Sequence, residues 1–269
     1  VGAGGAPQAA ICMGKKDMKG AERILGNCIT ALCILAVVLS VFFYAVKEPL
    51  LMLFGASEQT IGYANSYLGI YLLGTISVQI ALGLNTFINC QGFARTGMLT
   101  VALGAAANIV LDPILIFGLL GFPRMEVAGA AVATIVGQFV GAGLGLFLNL
   151  KKNPEVQIHL KNIRPHRATV ADIYAIGIPS IIMQSIGSVM MFGMNKILIS
   201  FTEAATAVFG AYFKLQSFIF MPCFGLNNAM VPIVSYNYGA QKFDRVRKTV
   251  RLTVFTACLL YTSDAADEL

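Results

Sequence analysis

Three residues at four-residue spacing carry the clearest chemistry in this chain: Gly104, Asn108 and Asp112, with Pro113 next in line. That spacing puts all three on one face of a helix. Asp112 is the one carboxylate deep inside a segment of membrane-spanning length, Gly97 to Leu120. A charge in hydrocarbon is expensive, so an acid there marks a route for an ion, a proton or a substrate. Asp112 offers an oxygen pair that can titrate or hold a cation, Na+ included, and Asn108 adds a neutral donor and acceptor. Gly104 allows close backbone approach. Pro113 cannot donate to residue 109, which frees a carbonyl beside the carboxylate and, with Gly104, favours helix bending. The competing reading is a packing seam with Asp112 hydrogen-bonded to a neighbouring helix.

Further polar side chains interrupt other apolar runs. Gln79, Asn85, Gln184, Asn195 and Lys214 are candidates for lining or gating a substrate cavity. Lys214 stands about ten residues into its run, ~14 Å at the helical rise, near mid-bilayer. Lys196 sits nearer a helix end, where its stem can snorkel. Phe213, Phe218, Phe220 and Phe224 read mostly as lipid-facing or packing residues. No catalytic set is present: the two His, 159 and 166, share one basic loop, and carboxylates are not paired. The six Cys include no C-x-x-C pair and read as small packing residues. The chain is therefore expected to be no enzyme, without cofactor, and without a metal site other than Na+ at Asp112.

The elements that position these groups are transmembrane helices. The chain is 57% hydrophobic and 12% charged, half the charge of an ordinary soluble domain. Apolar runs of spanning length are expected at about 24–46, 61–88, 97–120, 127–150, 173–201 and 204–234, with a seventh starting near 249. Lys47-Glu48-Pro49 is expected to stop the first. Gly137, Gly141 and Gly145 form a double small-xxx-small seam for close helix packing. Residues 1–23, 89–96, 151–172 and 235–248 read as polar loops. With Arg251 the four hold fifteen of the nineteen Lys and Arg, against two in the alternate loops. The positive-inside rule places these four loops in the cytoplasm of a multi-pass protein of the cell inner (plasma) membrane. The net charge of +6 is thus topology and attraction to membrane lipids, with no nucleic acid partner implied.

An internal repeat sets the higher organisation. Pro7 to Gly14-Lys15-Lys16-Asp17 recurs as Pro232 to Gly239-Ala240-Gln241-Lys242 with identical Pro-to-Gly spacing. Six spans lie between the copies, so both sit on one side of the membrane. That parity makes the repeat parallel, about an axis along the membrane normal, with a cavity between halves.

The ordered set Gly4-Gly5-Ala6-Pro7 with Gly14-Lys15-Lys16-Asp17, Asn108 to Asp112-Pro113-Ile114, Val127 to Thr134, Gly177-Ile178-Pro179, Pro222-Cys223-Phe224-Gly225, Pro232 and Asn237-Tyr238-Gly239-Ala240 resembles the multidrug and toxic compound extrusion (MATE) family. The resemblance implies an all-α polytopic membrane protein of two six-helix lobes related by a parallel pseudo-two-fold repeat, with about six and a half helices present here. Residues 1–150 would belong to the N-lobe, 151–172 to a cytoplasmic inter-lobe loop and 173–260 to the C-lobe. The acidic tail 261–269 reads as non-native, and the chain as an internal fragment.

The family resemblance implies a secondary active transporter that exports organic, often cationic compounds in exchange for H+ or Na+ by alternating access. Asn108 and Asp112 match the polar pair of the family's N-lobe cation-binding region, whose other key carboxylate lies on a helix absent here. The C-lobe acidic position is replaced by Gln184 and Asn195. Partners would be small organic substrates and lipids, with the full-length form monomeric. The rival readings are a flippase for a lipid-linked precursor, favoured by a more cationic cavity than Lys196 and Lys214 supply, and a receptor or channel.

Overall fold

The computed structural model describes residues 1–54, 58–152 and 164–266, and nearly all of them are helical. Among the described residues nine α-helices follow one another: α1 Gly2–Gly14, α2 Met18–Leu53, α3 Ile61–Leu73, α4 Thr75–Cys90, α5 Ala94–Phe117, α6 Glu126–Lys152, α7 Arg167–Ile199, α8 Glu203–Gly239 and α9 Phe243–Ala266. By length and composition, α2, α5, α6 and α7 can each cross a bilayer. Two bent spans join them, α3 with α4 (55°) and α8 between Val208–Phe218 and Phe220–Gly239 (41°). The molecule is an all-α, multi-pass membrane protein.

The largest correction concerns the first 23 residues. Composition suggests a loop, yet 2–14 form α1, whose Gly4, Gly5, Ala6, Ala9, Ala10 and Met13 are buried. Glycine and proline look loop-like in water, where alanine favours a helix, but between membrane helices glycine and alanine are contact surface. Together with Leu25, Cys28, Leu84, Phe87 and Ile173, α1 forms the core. The polar turn shrinks to residues 15–17, where Lys16 has a positive φ of 64° and Asp17 caps α2 by accepting from Gly20 N at 3.0 Å.

Helix ends differ from expectation elsewhere too. Lys47-Glu48-Pro49 does not stop α2, which continues to Leu53. Pro49 lies in the last turns and forfeits only one helical bond there. Lys47 Nζ sits 4.4 Å from the Tyr44 ring centroid, and Glu48 accepts from Asn65 Nδ2 at 3.2 Å. α5 ends at Phe117 because Gly118 adopts φ 72°, short of the expected Leu120. The loop expected at 235–248 reduces to 240–242, since α8 runs to Gly239 and α9 starts at Phe243. α9 continues to Ala266, past the point where the sequence suggests a break. Of the inter-lobe loop, residues 153–163, with His159 and Lys161, lie outside the described residues.

The start of α7 is tied to the first half by two bonds. Asn27, 1% exposed on α2, accepts from His166 N at 2.7 Å, and Gln8 Nε2 on α1 donates to Asp172 O at 2.7 Å.

Candidate functional site

The site is built where α5 and α6 pack face to face. Gly104 and Gly137 oppose each other so closely that a Cβ on Gly104 would lie 2.8 Å from the Gly137 carbonyl oxygen, and one on Gly137 2.7 Å from that of Gly104. Gly141 continues the seam against Thr100, its Cβ position 3.4 Å from Thr100 O. Thus Gly137 and Gly141 act as the packing seam their spacing suggests. Gly104 serves the same seam, and α5 passes through Pro113 as one continuous helix.

Close backbones bring polar side chains of two helices together. Asn108 Nδ2 donates to Asp112 Oδ1 at 3.3 Å and to Thr134 Oγ1 at 3.4 Å. Both bonds are long and therefore weak. Thr134 directs its own proton to Ala130 O at 2.8 Å, which leaves its oxygen lone pairs toward Asn108. Asp112 and Asn108 are half-buried. The result is a polar cluster in which a carboxylate and a hydroxyl oxygen, both hard donors, face one amide nitrogen within a largely apolar helix pair. Such a set suits a proton or a hard cation better than a soft metal. Among the described residues, no three His, Cys, Asp or Glu side chains gather as a metal site.

A cleft of about 230 Å³ lies beside this cluster between α4, α5 and α6. Asn108, Thr134, Gln138 and Thr100 supply its polar lining, with Gly104 and Gly137 at its wall. Thr134 and Gln138 carry no conspicuous sequence signal alone. Only their register on α6, one before and one just after Gly137 in the seam, points them at α5.

The other candidates do not join the cluster. Asn85 is bound into an α4–α5 ladder, donating to Gly97 O at 2.7 Å and Thr100 Oγ1 at 3.2 Å while accepting from Asn89 at 3.0 Å. Gln79 is half-buried on α4. Gln184 is exposed on α7, Asn195 half-buried further along it, and Lys214 exposed on α8. Lys196 is exposed in the last turn of α7.

Comparison with known proteins decides the family. The MatE family model matches residues 1–114 and 179–263. The chain belongs to the MATE family. The multidrug export protein MepA of Staphylococcus haemolyticus is 26% identical over 260 residues, covering 97% of this MATE chain and 56% of the relative. An FAD transporter of Shewanella oneidensis is 27% identical over 254 residues, covering 94% and 56%. The solved structure of the MATE multidrug transporter DinF-BH superposes with a TM-score of 0.88 at 34% identity, over 96% of this chain and 57% of that one. The MATE chain thus spans a little over half the length of these relatives. Its two-lobe helical architecture is that of the family, whose named relatives are transporters.

Proposed function

We propose that the full-length protein is a secondary active transporter that exports organic, often cationic compounds in exchange for H+ or Na+ by alternating access. The observation that carries this reading is the hydrogen-bonded Asn108–Asp112–Thr134 cluster beside a cleft in the first half of a MATE fold. Asp112 would alternate between a cation-bound or protonated state and a state that admits drug, with Asn108 and Thr134 as companion ligands. Gly104 and Pro113 would be where α5 can bend, and Gln79, Gln184, Asn195 and Lys214 would face the substrate path in the complete protein. The lobes would be 1–150 and 173–260, joined by the 151–172 segment. The turns rich in Lys and Arg would face the cytoplasm from the inner membrane.

The test is Asp112→Asn in the full-length protein, scored by drug resistance in an efflux-deficient host. Resistance should vanish while the amount of protein in the membrane is unchanged. Full resistance in that variant would remove Asp112 from the mechanism.

A second substrate class has one observation in its favour. Lys196 and Lys214 are exposed cations on the second-half helices, and a cationic side chain within a membrane-spanning segment suits an organic anion. Proteoliposomes offered a cationic dye or FAD separate the two: Lys214→Gln should depress only anion transport.

A further inference from the structure

We infer that Gly14 and Gly239 form a backbone latch between the two repeats, closing the face that carries the basic turns, and that this latch parts in each transport cycle. The inference rests on the alternating-access reading above.

The contact is reciprocal. A Cβ on Gly14 would collide with the Tyr236 carbonyl oxygen and lie 2.8 Å from Ala240 N. A Cβ on Gly239 would collide with the Ile11 carbonyl oxygen and lie 2.9 Å from Ile11 Cα. Ile11 and Tyr236 hold the same place in the two copies of the repeat, as do Gly14 and Gly239. This is the self-complementary contact that a two-fold axis imposes, here within one chain.

Both copies end in the same turn. Lys15 N, Lys16 N and Asp17 N donate to Ile11, Met13 and Cys12 carbonyls at 3.0, 2.9 and 2.9 Å. In the second copy Ala240 N, Gln241 N and Lys242 N donate to Tyr236, Tyr238 and Asn237 at 3.0, 3.1 and 2.9 Å. Lys16 and Gln241 share the positive φ, at 64° and 57°. Farther along α1 the seam continues onto α7, where a Cβ on Gly4 would collide with the Ile173 carbonyl and lie 3.0 Å from Gly177 N.

At the opposite end the described residues include a side-chain contact between the halves. There Phe54 and Phe192 meet edge-on with ring centroids 5.3 Å apart, and Phe54 is 64% exposed. Two such rings separate by rotamer changes alone. Backbones in direct contact have no side chain to yield, so they part or stay together as a unit. The basic-turn face is therefore the one held by direct backbone contact among the described residues.

The experiment uses the full-length protein in everted membrane vesicles, with two kinds of variant. Lys15→Cys with Ala240→Cys places repeat-equivalent thiols across the latch while leaving both glycines intact. Oxidation should cross-link the pair, lower drug uptake at least tenfold relative to either single variant, and be reversed by a reductant. A cross-linked protein that still transports at the parental rate would overturn the latch. Separately, Gly239→Ala should raise maleimide labelling of Ile11→Cys severalfold. Gly143→Ala, with open space around its Cβ position, should leave labelling unchanged. Equal labelling in the two alanine variants also overturns it. A parent protein that moves no drug defeats the proposed function instead, and the latch is then judged on labelling alone.

Discussion

At the scale of single residues, the polar atoms that matter are those bridging two helices. Asn108 spans the gap between Asp112 on its own helix and Thr134 on α6, so Thr134 is the residue whose role can be separated from that of the acid. Thr134→Val keeps the shape and removes one oxygen. It should weaken the apparent affinity for the coupling ion by about tenfold, the scale of one hydrogen bond. Ion titration of drug efflux in proteoliposomes checks this, and an unchanged ion affinity would exclude Thr134 as a ligand. Asn27 has a structural task instead, since it holds the backbone N–H that opens α7. Asn27→Leu should destabilise the purified full-length protein by about 1–2 kcal/mol through the loss of that bond and the bond to Arg23 O. Thermal melting in detergent reads the change. The Arg124–Glu126 pair, 3.4 Å apart and exposed on both sides, should contribute almost nothing to the same melt.

At the scale of elements, α5 and α6 form the tightest unit, and their glycines decide how close Asn108 comes to Thr134. Gly104→Ala would place a methyl group 2.8 Å from the Gly137 carbonyl, and overpacking of this kind costs about 1–3 kcal/mol. The variant should therefore lose both stability and ion affinity. Gly143→Ala on α6 meets nothing within 4 Å, and should hold or raise the melting temperature by replacing a poor helix former with a good one. Similar losses at both positions would contradict the seam. The α4–α5 pair is held differently, by Asn85, Asn89, Thr100 and the Gly97 carbonyl. There the polar atoms satisfy one another, which gives Asn85 a bracing role in this arrangement.

At the scale of the whole molecule, the distribution of charge makes a prediction about orientation in the membrane. The excess of Lys and Arg on alternate turns argues that Arg124 faces outside and Arg95 faces the cytoplasm. An impermeant maleimide added to intact cells should label Arg124→Cys in the full-length protein and spare Arg95→Cys. The reverse pattern would invert the topology and move the latch to the outer face. The same scale shows why a parallel repeat matters. Two turns of identical geometry, one at each end of a six-span interval, can meet only if both lie on one side of the membrane.

Several features were legible from the chain alone because they depend on composition and local spacing. Apolar runs of spanning length required helices, since backbone groups in hydrocarbon must be satisfied within their own segment. The four-residue spacing of Gly104, Asn108 and Asp112 placed them on one face, and the ordered motifs resembled the family to which the chain belongs. The repeat between Pro7–Asp17 and Pro232–Lys242 was visible as matched spacing. Only the tertiary structure decided what these pieces touch. It made a helix of 2–14, because small residues become contact surface once other helices surround them. It brought Thr134 to Asn108 across the α5–α6 seam, and drew Asn85 into a ladder with Gly97. It also set Gly14 against Gly239 although they lie near opposite ends of the sequence. Spacing within a helix is fixed by the backbone, whereas contact between helices is fixed by which surfaces close-pack, and no local pattern encodes that.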